Sequence, residues 1–304
     1  MRKVFKDERL NNEFVKNGYV RLPFISAEEV SQLKQKFFDT LPQSGGQITA
    51  EETGMENSRM VTYDFTFIDK NPVYKKMVFD IITTFFAPHM ARILYNYKPI
   101  IANYIRKQSA TGEVPLHQNW AFADEKKCYT VSIWCPLVDS TIENGTLQVV
   151  PGSHKRFGEV RGPLVPWELE EIKNEIIENH LVPLETKAGD CVILDDSIVH
   201  YSAINKTNDL RLAIQLICIP GELPSLHYYG KGDKVDILEV DENFYMEFNP
   251  WKLPDYAKKV GELSYSYASI DESEFKRRLA GSSFDENKAD QSFFQKIKIA
   301  LLGQ

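Results

Sequence analysis

Several things are scarce in this 304-residue chain, and each scarcity removes a class of explanation. There are only four cysteines, Cys128, Cys135, Cys191 and Cys218. None forms a CxxC pair, and each lies in or beside an apolar, strand-like run. Disulfide scaffolds and zinc sites are disfavoured, and buried free thiols in a reducing cytosol are expected. Long apolar runs are missing too. Stretches such as Leu212 to Pro220 fall far short of the roughly 20 residues of a membrane span, so no membrane is expected as a partner. Basic excess is absent. The formal charge is -7, and the clusters Lys126-Lys127 and Lys276-Arg277-Arg278 each follow acidic residues. Nucleic acid is disfavoured on that ground. The start, Met1-Arg2-Lys3-Val4-Phe5, has charges but no apolar h-region, so no secretory signal is expected and a cytoplasmic location is. No repeat or low-complexity run is visible, and oligomeric state leaves no signature.

What is present reads as helical flanks around a β core. Phe14 to Gly18 ends one helix on a natural C-terminal cap. Ser26, with Glu29 three residues on, has the capping-box pattern and opens a second helix. Its expected apolar face is Val30, Leu33, Phe37 and Phe38. Residues 43–58 read as a loop and a candidate lid, and 73–96 as another helix. From 98 to 220 short runs rich in Val, Ile, Tyr and Trp recur between turn signals. The candidate strands are 99–106, 114–121, 128–138, 145–150, 182–186, 190–195, 198–203 and 210–219. Eight short strands imply a sandwich or barrel. Asn144-Gly145 reads as a hairpin turn, and Trp167 to Glu178 as a helix inside a long connection. After Pro220 the strand rhythm is expected to stop. Residues 221–255 read as irregular, with the aromatic stretch Leu226 to Trp251 as a second candidate lid. Helices are expected at 271–280 and 286–302. One domain is predicted over 1–304: helical support at 1–97, a core at 98–220 and an extension at 221–304.

The chemistry gathers at His117-Gln118-Asn119, His200 and Arg211. Residues i and i+2 of a strand share a face. His117 and position 119 would therefore point together if 114–121 is a strand, and His200 would arrive from a later strand. Two histidines and a carboxylate on one face make the facial site of non-haem Fe(II) oxygenases. Here an amide stands where the carboxylate is expected. Arg211 follows the 205–209 turn, and hairpin geometry could bring it near His200 as a bidentate partner for a dianion. Each residue also has a plainer reading. The histidines could be hydrogen-bonded core residues, Arg211 an ion-pair partner of Asp195 or Asp196, and Asn119 a strand-end residue. Asp124 and Glu125 read as a charged turn with Lys126 and Lys127.

In order along the chain, four blocks resemble the phytanoyl-CoA dioxygenase family of Fe(II)/2-oxoglutarate oxygenases. They are Phe14 to Leu33, His117-Gln118-Asn119-Trp120, Trp134 through Asn144-Gly145 to Lys155, and Gly189-Asp190 through His200, Ser202, Asn205 and Arg211. The resemblance covers about 10–220 and implies a mainly β fold with flanking helices, a double-stranded β-helix (jelly-roll, cupin-like) core. It implies that His117, His200 and position 119 bind iron and that Arg211 holds the distal carboxylate of 2-oxoglutarate. Ser202, Gln118 and Trp134 would line the cosubstrate pocket, and His154 would be structural. The implied cofactors are Fe(II), 2-oxoglutarate and O2, with ascorbate as an optional auxiliary, acting on a small-molecule substrate. Asn119 departs from the family's His-x-Asp pattern, because an amide offers only a neutral oxygen. Three alternatives follow: turnover with a weak or absent third ligand, a non-catalytic ligand-binding relative, or an engineered Asp-to-Asn copy of an active dioxygenase. A halogenase fits less well, because Asn still fills the space a halide would need. A cupin-like hydrolase or isomerase fits less well again, for want of clustered histidines.

Overall fold

Asp7 and Gly18 bracket the first helix, α1 (Glu8–Asn17). The Asp7 carboxylate accepts from the Leu10 N–H, and Gly18, at φ 81°, returns its own N–H to Phe14. That left-handed cap turns the chain into β1 (Tyr19–Pro23). Ser26 and Glu29 form the expected capping box at the start of α2 (Ala27–Thr40), which buries Val30, Leu33 and Phe37. Phe38 is instead 51% exposed. Neighbouring helical residues sit about 100° apart, so Phe37 and Phe38 cannot both face the core. The computed structural model describes residues 1–45, 64–247, 253, 256–281 and 299–300. Most of the 43–58 loop and of the 286–302 segment therefore lies outside the described residues, although Ile299–Ala300 pairs as a short strand, not a helix.

All eight expected core strands form. They are β3 (Tyr97–Lys107), β4 (Val114–His117), β5 (Val131–Pro136), β6 (Gln148–Val149), β7 (Val182–Pro183), β8 (Asp190–Asp195), β9 (His200–Ser202) and β10 (Arg211–Pro220). With β2 (Asp64–Phe65), they make two antiparallel sheets of order β1-β8-β5-β10-β3-β2 and β4-β9-β6-β7. Strands β1 and β2 come from the segment expected to be helical support, so the core is broader than 98–220.

Side-chain alternation gives the large sheet two faces. Ile133, Cys135, Cys191, Ile193, Leu212, Ile214 and Leu216 pack outward against Phe14, Leu33 and Phe37 and against α3 (Pro72–Ile93) through Val78, Ile82 and Phe86. Trp134, Val192, Leu194 and Ala213 point inward and meet Leu147, Val149 and Ile198 of the smaller sheet's side. This two-sheet sandwich is the predicted jelly roll. The four cysteines are free and buried, as expected.

Two local expectations change. Asn144-Gly145 is not a hairpin, because the strands on either side of it, β5 and β6, belong to different sheets. The rhythm also does not stop at Pro220. Ser225–Lys231, Lys234–Val240 and Lys258–Ser264 (β11 to β13) pair with Ile299–Ala300 (β14) in a third antiparallel sheet. The signal was the two-residue turn Gly232-Asp233 between facing Lys231 and Lys234, with Gly232 at φ 65°. Aromatic crowding obscured the alternation on either side. Trp167 to Glu178 forms a 3-10 turn and a short helix, α4 (Lys173–Asn179). The helix expected at 271–280 is found at Glu272–Ala280.

Candidate functional site

The cavity between the two sheets is about 270 Å3 and is lined by His117, Asn119, His200, Ser202, Arg211 and Trp134 together with apolar side chains. Every residue the resemblance gives a metal or cosubstrate role reaches its wall: His117, Gln118, Asn119, Trp134, His200, Ser202 and Arg211. His117 and His200 face each other in register across β4 and β9, with ring centroids 4.1 Å apart. Nδ1 of His117 lies 2.7 Å from the Pro115 carbonyl, and Nδ1 of His200 lies 2.9 Å from the Ile198 carbonyl. A carbonyl only accepts, so each Nδ1 carries the proton and each Nε2 keeps its lone pair. This backbone anchoring is the usual support of a metal-bound histidine. Burial pushes both imidazoles toward the neutral form, and for His200 the neighbouring His117 adds to it. Neutral imidazole is the metal-binding form.

Asn119 is not on the strand that was expected to carry it. Strand β4 ends at His117, after an irregular register between Val114 and His117. The physical reason is that the Asn119 carbonyl leaves the ladder and accepts from Arg161 Nε at 2.7 Å. Its side chain still turns toward the histidines. It lies within hydrogen-bonding reach of His117 and favours the protonated ring, as an accepting oxygen does. The Asn119 amide nitrogen donates to Ser132 Oγ at 3.0 Å and to Asp196 Oδ1 at 2.8 Å. Burial pushes the Asp196 carboxyl up to about 7, against the hydrogen bonds from Ser132 and Asn119. Among the described residues, no third His, Cys, Asp or Glu joins His117 and His200 in a metal-sized cluster. If a protein atom supplies a third donor beside them, the Asn119 carbonyl oxygen is the one in place.

Arg211 forms the other end. It opens β10, faces Lys107 in register on β3, and is 2% exposed. It reaches the His200 strand across the sandwich, since β9 and β10 lie in different sheets. Its Nη2 donates to the Gly145 carbonyl at 3.1 Å and to Ser202 Oγ at 3.2 Å. Its Nε and Nη1 are buried without a partner. The guanidinium carbon lies 5.7 Å from the centre of the Trp134 ring. Neither Asp195 nor Asp196 pairs with it, so the plainer ion-pair reading is set aside. Burial lowers its pKa to about 9.

Lys107, which the sequence reading missed, adds a second buried basic group. Its Nζ donates to Ser202 Oγ and to the carbonyls of Gly145, Ser202 and Ala203, all neutral groups. Burial first, and the Arg211 charge second, lower its pKa to about 6. Gly145 is needed where these groups converge. At φ 73°, any Cβ there would sit 2.2 Å from the Ala203 carbonyl oxygen.

Gln118 lines the cavity, but its amide is engaged elsewhere. Its Nε2 donates to the Phe157 and Ser197 carbonyls, and its Oε1 accepts from Trp167. His154 is structural, as expected, with Nε2 3.1 Å from the Val15 carbonyl. The charged turn forms, with Lys127 paired to Asp124, but Glu125 departs from it in being buried. It is 2% exposed, takes both Arg161 nitrogens at 2.9 and 2.6 Å, and lies 3.4 Å from Lys155, which also approaches Asp195. Single charges in an apolar-poor segment look alike whether solvated or buried, so only the tertiary structure reveals this pairing.

This combination invites comparison with known proteins. Residues 14–213 match the phytanoyl-CoA dioxygenase (PhyH) family. The chain belongs to the phytanoyl-CoA dioxygenase family. Among its relatives, a phytanoyl-CoA dioxygenase domain-containing protein 1 homolog of Dictyostelium discoideum is 30% identical over 224 residues, 65% of this chain and 76% of the relative. A phytanoyl-CoA dioxygenase 1 of Oryza sativa subsp. japonica is 30% identical over 168 residues, 50% of this chain and 54% of the relative. The crystal structure of the epimerase SnoN, in complex with Fe3+, alpha ketoglutarate and nogalamycin RO, superposes with a TM-score of 0.55 at 16% identity. The match covers 86% of this chain and 95% of that one. At that identity the match speaks for the fold of this family member and not for its substrate.

Proposed function

We propose that the chain is an Fe(II)/2-oxoglutarate-dependent oxygenase that oxidises a C–H bond of a small organic substrate. The observation that carries this reading is the pair of orphaned Arg211 nitrogens at one end of a cavity whose other end holds two neutral imidazoles. A buried cation with unused donors calls for an anion, and a carboxylate meets a guanidinium in a bidentate fashion. The residues fit both groups. His117 and His200 would hold the metal through Nε2, with the Asn119 oxygen as third donor. Arg211 and Ser202, beside Trp134, would hold the distal carboxylate of 2-oxoglutarate. Imidazole and amide oxygen suit first-row divalent metals, although a neutral oxygen holds a hard cation less firmly than a carboxylate. When bound, iron and 2-oxoglutarate supply the activation of O2.

The protein's own part is to orient and to exclude water. Phe65, Phe67, Ile101, Trp120, Phe122 and Ile217 wall the remaining cavity. That lining suits an apolar substrate portion, whose burial stabilises binding by about 25 cal/mol per Å2. Free buried thiols suit a reducing compartment, and a cytoplasmic setting is part of the proposal.

The test is anaerobic addition of Fe(II) and 2-oxoglutarate. A visible metal-to-ligand charge-transfer band and calorimetric binding are expected, and the absence of both would sink the reading. The amide at position 119 favours a second one, a family member that binds 2-oxoglutarate without turning it over. Release of succinate under air would eliminate it.

A further inference from the structure

Position 119 is more than a missing carboxylate. Its amide sits in a pocket made for an amide. Three separate parts of the fold converge there: the segment after β4, Ser132 on β5, and Asp196 just past β8. Asp196 is fully buried, Ser132 is 1% exposed and Asn119 is 9% exposed. Ser132 Oγ donates to Asp196 Oδ1 at 2.7 Å, which leaves that hydroxyl an acceptor toward Asn119. The same Asp196 oxygen accepts from the Asn119 amide at 2.8 Å. Both neighbours thus demand a donor. The amide can satisfy them only by presenting its NH2 to that side, which sends its carbonyl oxygen toward His117. The flip is forced by chemistry.

We propose that Asp196 is the positioning carboxylate of this metal centre, acting on the metal through the Asn119 amide whose oxygen it aims. The carboxylate has moved one residue outward from the position the family pattern gives it. The inference rests on the metal-site reading above, and it changes what Asn119→Asp should do. An aspartate there would set its second oxygen against Asp196 Oδ1 and Ser132 Oγ, acceptor against acceptor. Asn119→Asp is then not a repair. The compatible change is the exchange Asn119→Asp with Asp196→Asn, in which the new amide at 196 donates to the new carboxylate at 119.

The experiment titrates the full chain with Co(II), followed by calorimetry and by the visible Co(II) spectrum. The parent should bind, and His117→Ala should not. Asp196→Ala should weaken Co(II) about 10- to 100-fold, the usual range for a residue supporting a ligand. Asp196→Asn, which can still accept from Asn119, should recover most of that loss. Asn119→Asp alone should not tighten binding, whereas the exchanged pair should bind at least tenfold more tightly than Asn119→Asp. In the metal-free protein, Asn119→Asp should lower the melting temperature and Asp196→Asn should restore it, an arm that stands if Asp196→Ala fails to fold. Parent affinity in Asp196→Ala, or a tenfold gain from Asn119→Asp with none added by Asp196→Asn, overturns the role of Asp196 and leaves the metal site standing. A parent that ignores Co(II), or a His117→Ala that binds it equally well, overturns the metal-site reading and this inference with it.

Discussion

At the Arg211 end of the cavity two buried basic groups, the Arg211 guanidinium and the Lys107 amino group, donate to a hydroxyl and to carbonyls. At the His117–His200 end the acidic group behind the neutral side chains is the Asp196 carboxyl. The two ends are short of opposite partners. Next to the second end lies a network balanced in charge, in which Glu125 and Asp195 face Arg161 and Lys155. Buried charge without a partner is costly. A fold that balances one cluster and leaves two others open has set those two aside for groups of its own choosing. The comparison gives the site a polarity: a cation belongs at one end and a carboxylate at the other.

The largest expected effect comes from unbalancing the balanced network. Glu125→Ala strands Arg161 in the core, leaves Lys155 only the more distant Asp195, and should cost about 3–5 kcal/mol of stability, read by denaturant unfolding. It should also loosen the Asn119 carbonyl held by Arg161. A loss under about 1 kcal/mol would mean that the cluster is hydrated and that the contrast between balanced and open clusters is false.

Arg211→Met should behave in the opposite way. Removing a cation that lacks an anion should leave the free protein at least as stable, because such a residue is kept for binding. Its affinity for 2-oxoglutarate should fall about 100-fold or more by calorimetry, in line with truncating one member of a buried charge pair. Equal affinity in the variant would remove the anion site from this end.

These two outcomes also mark how far the sequence could be followed. The eight core strands, the capping box at Ser26 and the trio His117, His200 and Arg211 were legible because each rests on local pattern or on motif spacing. The third sheet was missed because His227, Tyr228 and Tyr229 crowd its first strand with aromatics and hide the period of two. Lys107, Ser132 and Asp196 were missed for a different reason. Lys107 lies beyond the expected end of its strand, and Asp196 was read as an alternative ion-pair partner of Arg211. Their importance comes from partners 95, 13 and 77 positions away, respectively, in Ser202 for Lys107 and in Asn119 for Ser132 and Asp196. Glu125 was misjudged likewise, since nothing local distinguishes a solvated acid from one clamped by Arg161.

A smaller effect is expected at Lys107, where the sign of the pH dependence sharpens the contrast. Its pKa is lowered from the ordinary 10.5 to about 6 in the folded chain. Between those values the unfolded chain holds a proton that the folded chain lacks, so the free protein should gain stability as pH rises through that window. A carboxylate docking beside it draws the proton back. Binding of 2-oxoglutarate near pH 7.5, a value inside that window, should therefore take up protons, seen as a dependence of the calorimetric heat on the buffer's ionisation enthalpy. Lys107→Met should abolish the uptake and weaken binding by roughly tenfold, the scale of one charge-assisted hydrogen bond. Unchanged uptake in the variant would assign the proton to another group.

The smallest effect should come from outside the cavity. Ser26 closes the N-terminus of α2 by accepting from the Glu29 N–H at 3.2 Å, while Glu29 Oε2 accepts from the Ser26 N–H at 2.8 Å. Helix α2 buries Val30, Leu33 and Phe37 on the outer face of the large sheet, away from Arg211 and the histidines. Ser26→Ala should cost about 1 kcal/mol, the usual value of an N-cap side chain. Its 2-oxoglutarate affinity and proton uptake should match the parent's. The helix contributes to holding the sheet and not to the charge at either end, so a stability loss without a binding loss is the result that a localised polarity requires. A binding loss as large as that of Lys107→Met would show instead that the open clusters depend on the rigidity of the whole sheet, and that their lack of partners is not by itself what selects the ligands.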